Sequence, residues 1–390
     1  RYEFNYRDNQ SFPRGKLMTR KMLPAMIGAI LTGGMLSAHA DVTLFGHIDT
    51  SVDAIDQDGG SDDINLNCTT CSVGFKGSED LGNGLKAIFK IDFQYDTTER
   101  NTGKASAKKA NGYITTTTAG GTTTAPVVTS VSDTSSITDR DQWLGLAGNF
   151  GQVRVGTIST VYKSHGAMLD PLYRTALQGR DRGLQSNLHR GAGEEGQGRA
   201  TNTLRYDSPS WNGLKGGFHY TLDNDENDGE DDNPYGVGLS YENGGILVFA
   251  DYITSDTGDD DSAWKVGGKY TLNNLALMAQ YERDNGLISS KAPGTSGDGA
   301  DIWQLGGSFT LGNNMLYLGY GNGSSGSGSS NASDYFAWTL AGVHNMSKRT
   351  SIYAGFSEID CDDPDSDVCR RVGSSGGEDD KFSIGMKHKF

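Results

Sequence analysis

Residues 85–96 read LKAIFKIDFQYD. Leu85, Ala87, Phe89, Ile91, Phe93 and Tyr95 alternate with Lys86, Ile88, Lys90, Asp92, Gln94 and Asp96. Successive side chains of a strand point to opposite faces, so this segment is a strand with one apolar face and one mostly polar face. The period of two returns in LKGGFHYTL (214–222), WKVGGKYTL (264–272) and DKFSIGMKHKF (380–390). In the last of these, Phe382, Ile384, Met386, His388 and Phe390 oppose Lys381, Ser383, Gly385, Lys387 and Lys389.

The spacers between such segments fall into two kinds. Short ones, EDLGNG, GNFGQ, SPSWNG, ENGG, TLNN, LGNN and NMSKRT, carry the Gly, Asn or Ser that tight turns require. Between them lie long polar stretches at 57–70, 97–139, 160–198, 223–234, 255–262, 284–300, 322–333 and 360–379. Seven short turns and eight long loops imply sixteen strands between Asp41 and Phe390. A soluble sandwich also alternates, but nothing in it sorts connections into short and long. A transmembrane barrel does, with short turns on the periplasmic side, and closure removes the edges that lipid cannot satisfy. The expected fold is an all-β transmembrane antiparallel barrel of sixteen strands. Phe390 then falls at the outward end of the closing strand, at the depth of the periplasmic aromatic belt.

Composition narrows the function. Lys+Arg 34 against Asp+Glu 49 gives a net charge of −15, which argues against nucleic acid as a partner because phosphate binding needs a basic footprint. Met18–Ala40 has a basic front at Arg20 and Lys21, an apolar middle and a small-x-small ending at Ala38-His39-Ala40, the pattern of a secretory signal cut before Asp41. Residues 1–17 have no targeting logic and are expected to be a non-native extension, leaving 41–390 as the barrel.

VTLFGHIDTSV (42–52), VGFKGSEDLGNGLKAIFKIDFQ (73–94), WLGLAGNFGQVRVGT (143–157) and NTLRYDSPSWNGLKGGFHYTL (202–222) resemble the trimeric general porins of Gram-negative outer membranes, a likeness that extends over 41–390. The resemblance implies a homotrimer in outer-membrane lipid and lipopolysaccharide, passive diffusion of ions and small hydrophilic solutes, and a third long loop folded inward to narrow the pore. It also implies that a C-terminal aromatic, here Phe390, belongs to the signal recognised by the outer-membrane insertion machinery. A solute-specific channel and a surface-binding or structural barrel with a plugged lumen are the alternatives. No cofactor and no enzymatic role are expected.

If the third loop lies inside, the expected constriction sets Lys86, Lys90, Arg154, Arg199 and Arg205 on the wall against Arg174, Arg180, Arg182, Asp170, Glu194 and Glu195 on the loop. Its carboxylates would face a basic wall across a narrow gap, creating a transverse field. The outer loops are acidic, at 56–63, 223–232, 256–261 and 360–367, which enriches cations at the mouth. From Asp223 the sixth position is Asp228 and the twelfth Pro234, so no calcium loop is present. GAGEEG (191–196) has the spacing of a dinucleotide fingerprint without its strand and helix. The histidines show no ligand spacing, and no metal is expected. Cys68, Cys71, Cys361 and Cys369 are disulfide candidates; Cys361 with Cys369 is the leading pair, and cross-pairing between the first and last loops stays open.

Overall fold

The computed structural model describes residues 41–57, 63–98, 112–118, 121–127, 137–189, 198–222, 233–254, 262–284, 300–325, 334–362 and 378–390. The expected signal segment, 18–40, and residues 1–17 lie outside them. Sixteen staves follow one another antiparallel around a closed barrel. In chain order they are β1 (Asp41–Gln57), β2 (Ser72–Gly82), β3 (Leu85–Tyr95), β4 (Ile137–Gly148), β5 (Gly151–Ser159), β6 (Arg199–Asp207), β7 (Leu214–Thr221) and β8 (Tyr235–Asn243). The second half consists of β9 (Ile246–Thr254), β10 (Ser262–Leu272), β11 (Leu275–Asp284), β12 (Ala300–Leu311), β13 (Asn314–Ser325), β14 (Asp334–Asn345), β15 (Thr350–Cys361) and β16 (Glu378–Lys389). A short strand, Asp63–Cys68, continues β2 upward along β1.

Closure is made by β16 on β1, from His47 opposite Lys389 to Gln57 opposite Asp379. Phe390 adds one more rung, its N–H donating to Gly46 O at 3.1 Å and its carbonyl accepting from Gly46 N at 3.1 Å. The aromatic ring lies over Gly46, where an added Cβ would stand 2.6 Å from the ring's Cζ. Only a residue without a side chain fits beneath that ring.

Burial is inverted relative to a soluble protein. Phe75, Leu144, Leu305, Leu316 and Ile384 are about half exposed on the outer surface, whereas Asp49, Asp92, Lys265 and Glu282 inside are at most 1 % exposed. Apolar outside and charged inside is the arrangement lipid selects. On the outer wall near the long-loop end, Tyr252 pairs with Trp264 and Tyr281 with Trp303. Tyr320 and Phe336 stack beyond them at 6.5 Å, completing an aromatic belt.

The second long stretch contains a hairpin not expected from its Thr-rich sequence, Gly112–Thr118 antiparallel to Gly121–Val127. Runs of Thr are β-branched and favour strand once a partner is available. The third long stretch enters as a short helix, α1 (Val161–Gly166), followed by 3-10 turns at Ala167–Leu169, Gly179–Asp181 and Asn187–His189.

Candidate functional site

The third loop lies within the barrel because its sequence carries its own apolar anchors. Leu169, Leu172, Leu177, Leu184 and Leu188 are 0–1 % exposed and form one cluster with wall residues that include Phe249, Ile253, Ile302, Tyr335 and Ile359. Burying five leucines is worth on the order of 10 kcal/mol gross. Glycines in the inner wall make the room: a Cβ on Gly355 would stand 2.7 Å from Leu177 Cδ1, and one on Gly319 2.8 Å from Leu184 Cδ1. α1 starts at Thr160, whose hydroxyl accepts from Lys163 N at 3.2 Å and donates to Gly198 O at 3.0 Å, tying entry to exit.

A buried polar latch completes the docking. Glu282 on β11 accepts from Tyr162 OH at 2.9 Å, Ser186 Oγ at 2.6 Å and Gln280 Nε2 at 2.7 Å. Lys265 on β10 donates to Tyr162 O and to His189 Nε2. Burial, reinforced by the Lys265 ammonium, holds His189 well below its ordinary range and keeps it neutral. Nε2 is therefore the acceptor and Nδ1 the donor, to Ser186 O at 3.2 Å, so the 3.7 Å approach of Nδ1 to Glu282 is a polar contact and not an ion pair. Farther along, Arg182 bonds Ser357 and meets Asp379 Oδ1 at 2.9 Å, while Tyr335 OH donates to Gly183 O at 2.9 Å. Removing one partner of such a buried set leaves the others uncompensated. Glu282→Ala is expected to lower stability by about 3 kcal/mol, read as the denaturant midpoint of refolded protein, with Glu282→Gln clearly milder.

Opposite the loop's tip, the wall of β3 to β6 carries an arc of charge. Lys90 Nζ sits 2.9 Å from Asp141 and 3.3 Å from Asp92, above the ring of Phe45. Arg140 bonds Asp92 at 3.3 Å and Gln94 at 2.8 Å, and Arg199 meets Asp141 at 3.0 Å. Arg154 pairs with Asp207 and stacks on Trp143, and Arg205 joins Asp207 at 2.7 Å. From the loop, Arg174 donates to His47 Nδ1 at 3.3 Å and lies against Tyr173, as does Arg180. Lys163 Nζ has no hydrogen-bond partner among the described residues. Burial, with Arg199 and Arg180 beside it, pulls its ammonium well below the usual lysine range.

Of the loop carboxylates, Asp170 and Asp181 are described. Asp170 accepts from Leu172 N at 2.9 Å and Gly179 N at 3.0 Å, and Asp181 bonds Gln178, so both carboxylates hold the loop's own turns while staying in electrostatic reach of Lys387 and Lys381 on the wall. Burial raises the Asp170 carboxyl to about 6 against the pull of those amides. Cations stand on both sides, and the carboxylates among them, Asp92, Asp141 and Asp207, belong to the wall. Lys90, Arg154, Arg174, Arg180, Arg199 and Arg205 are brought together; Lys86 is exposed near the short-turn end, and Arg182 anchors the loop elsewhere. Glu194 and Glu195 lie outside the described residues. Arg140 and Asp141 both reach the lumen because β3 and β4 shift register between Ile91 and Phe93, placing two residues against one. Strict alternation hides one of any such pair.

Cys68 is bonded to Cys71, closing a small ring at the junction of the two segments that flank β1. Cross-pairing is thus not the arrangement of the first loop. Cys361 is also disulfide-bonded, and Cys369 lies outside the described residues.

A family model described as Gram-negative porin matches residues 26–364. Major outer membrane protein P.IB of Neisseria meningitidis serogroup A is 27% identical over 236 residues, covering 58% of this chain and 58% of that protein. P.IB of Neisseria lactamica is 27% identical over 243 residues, 59% and 58%. The chain thus aligns with less than two thirds of the length of these relatives. Among solved structures, the anion-selective porin from Comamonas acidovorans superposes with a TM-score of 0.67 at 22% identity, over 90% of this chain and 100% of that one. OmpF of Salmonella typhi gives 0.67 at 17%, over 90% and 97%. With a closed lipid-facing barrel, a loop docked in its lumen and a matching family model over most of its length, the chain belongs to the Gram-negative porin family of outer-membrane β-barrels.

Proposed function

We propose that the protein is a diffusion channel for ions and small hydrophilic solutes, narrowed by its third loop and selective for anions at that level. One observation carries the reading: arginines line both sides of the constriction, and Arg174 faces it with no carboxylate partner among the described residues. The acidic outer loops are screened within about a Debye length, roughly 8 Å, whereas charges at a low-dielectric constriction are not. Reversal potential in a salt gradient across a planar bilayer tests this. A unit charge at about 5 Å in water is worth about 0.8 kcal/mol, so Arg174→Gln should lower the anion-to-cation permeability ratio about fourfold. Arg154→Gln should do less, because Asp207 keeps Arg205. A wild-type channel that prefers cations, or an unmoved potential in Arg174→Gln, refutes the selectivity.

The same reading includes export by the 18–40 signal, a homotrimer held in outer-membrane lipid and lipopolysaccharide, and recognition of Phe390 by the insertion machinery. The family and the apolar outer wall support these assignments. Cross-linking of refolded protein to a three-subunit limit tests the assembly; a monomer that conducts alone overturns it.

A further inference from the structure

Of the seven short connections, 83–84, 149–150, 208–213, 244–245, 273–274 and 312–313 contain no charged residue, whereas 346–349 carries Lys348 and Arg349 side by side. Reversing the chain does not need them. Ser347 performs that task, its hydroxyl accepting from Arg349 N at 3.1 Å and Thr350 N at 3.0 Å. The closing stave sets two more cations alongside, with Lys389 N donating to Arg349 O at 2.8 Å. Lys348, Arg349, Lys387 and Lys389 line one cavity of 260 Å³, bounded by Pro171 and Thr175 of the third loop.

No carboxylate lines this cavity. Lys387 donates to Tyr173 O at 2.8 Å and is offset by the Asp49 and Asp170 carboxylates behind it, so the excess charge of the cavity falls on the other three cations. The other three side chains make no ion pair among the described residues. Three uncompensated like charges gathered in one pocket, Lys348, Arg349 and Lys389, repel one another, and in a chain of net charge −15 the concentration is not a compositional accident. The Ser351 hydroxyl adds a neutral donor, whereas the Thr350 hydroxyl is engaged with His388 Nδ1 at 2.9 Å. The group that satisfies them together is a compact dianion, for which ammonium and guanidinium groups supply charge-assisted hydrogen bonds.

We propose that this cavity, between the third loop and the 346–349 turn, binds a small solute bearing a phosphate or a closely spaced pair of carboxylates. The site adjoins the Arg174 side of the constriction and opens toward the short-turn mouth. It rests on the porin reading only for which mouth the solute meets.

The probe is inorganic phosphate, titrated calorimetrically into refolded protein and then added to one side of a bilayer. Saturable binding is expected, with current reduced more from one side than the other. K348Q/R349Q and, separately, Lys389→Gln should weaken binding about tenfold or more. Potassium chloride current confirms that each variant has inserted. Heat that never saturates, or affinity equal in the variants, overturns the proposal. Succinate in place of phosphate distinguishes paired carboxylates from phosphate as the preferred chemistry. A silent wild-type bilayer would instead refute the channel reading, and the calorimetry would still decide this site.

Discussion

Replacing residues 160–198 with a short Gly/Ser linker from Ser159 to Arg199 is expected to raise single-channel conductance at least about twofold and to bring the permeability ratio close to unity. The staves do not depend on the loop for their hydrogen bonds, since β5 and β6 pair directly from Gln152 opposite Asp207 to Ser159 opposite Arg199. What the loop occupies is the lumen. Its removal takes away Lys163, Arg174 and Arg180, leaving the wall cations partnered by Asp92, Asp141 and Asp207. It also exposes Ile253, Ile302 and Ile359 to water, so folded yield should fall even though the barrel persists. Conductance equal to wild type would show that the loop does not limit flow. A current present only after the deletion would show that the native lumen is plugged, and the channel reading would give way to a structural barrel.

The barrel was legible because its signal is repeated. Alternation in Leu85–Asp96 and Asp380–Phe390 fixed which face is wet, and the sorting of spacers fixed the number of staves, which the structure bears out. The constriction was only half legible. Lys90, Arg154 and Arg205 fall on polar faces that alternation exposes, but Arg140 and Asp141 arrive together through a register shift that leaves no mark in a period of two. The latch was hidden for another reason. Lys265 and Glu282 look like any wet-face residues of a porin strand, and only the fold of 160–189 brings His189, Tyr162 and Ser186 onto them. The loop's leucines carry a packing instruction, but its partners are glycines at 319 and 355, whose informative property is the side chain they lack. Charge alone does not say whether Asp170 faces a pore or caps its own backbone, and here it accepts two backbone amides.

Gly46→Leu is expected to abolish barrel closure, with folded yield down more than tenfold, while Gly46→Ala reduces it less. The position admits no Cβ on the outer face: the Phe390 ring and the β2 backbone both stand within normal contact distance of where it would be. A leucine there must displace the ring and break the two Gly46–Phe390 hydrogen bonds that continue the closing seam. Phe390→Ser separates two roles that coincide in one residue. As packing, the loss of a half-buried phenylalanine costs about 3 kcal/mol at most, so detergent refolding should survive with a lowered denaturant midpoint. As a recognition signal, its loss should reduce assembled protein in cells far more than refolding predicts. Equal losses in both settings would mean that Phe390 acts through the seam alone. Gly46→Leu must fail in both, because the obstruction is internal to the barrel. If Gly46→Leu refolds to a normal yield, the ring is not seated on Gly46, and the account of the seam is wrong.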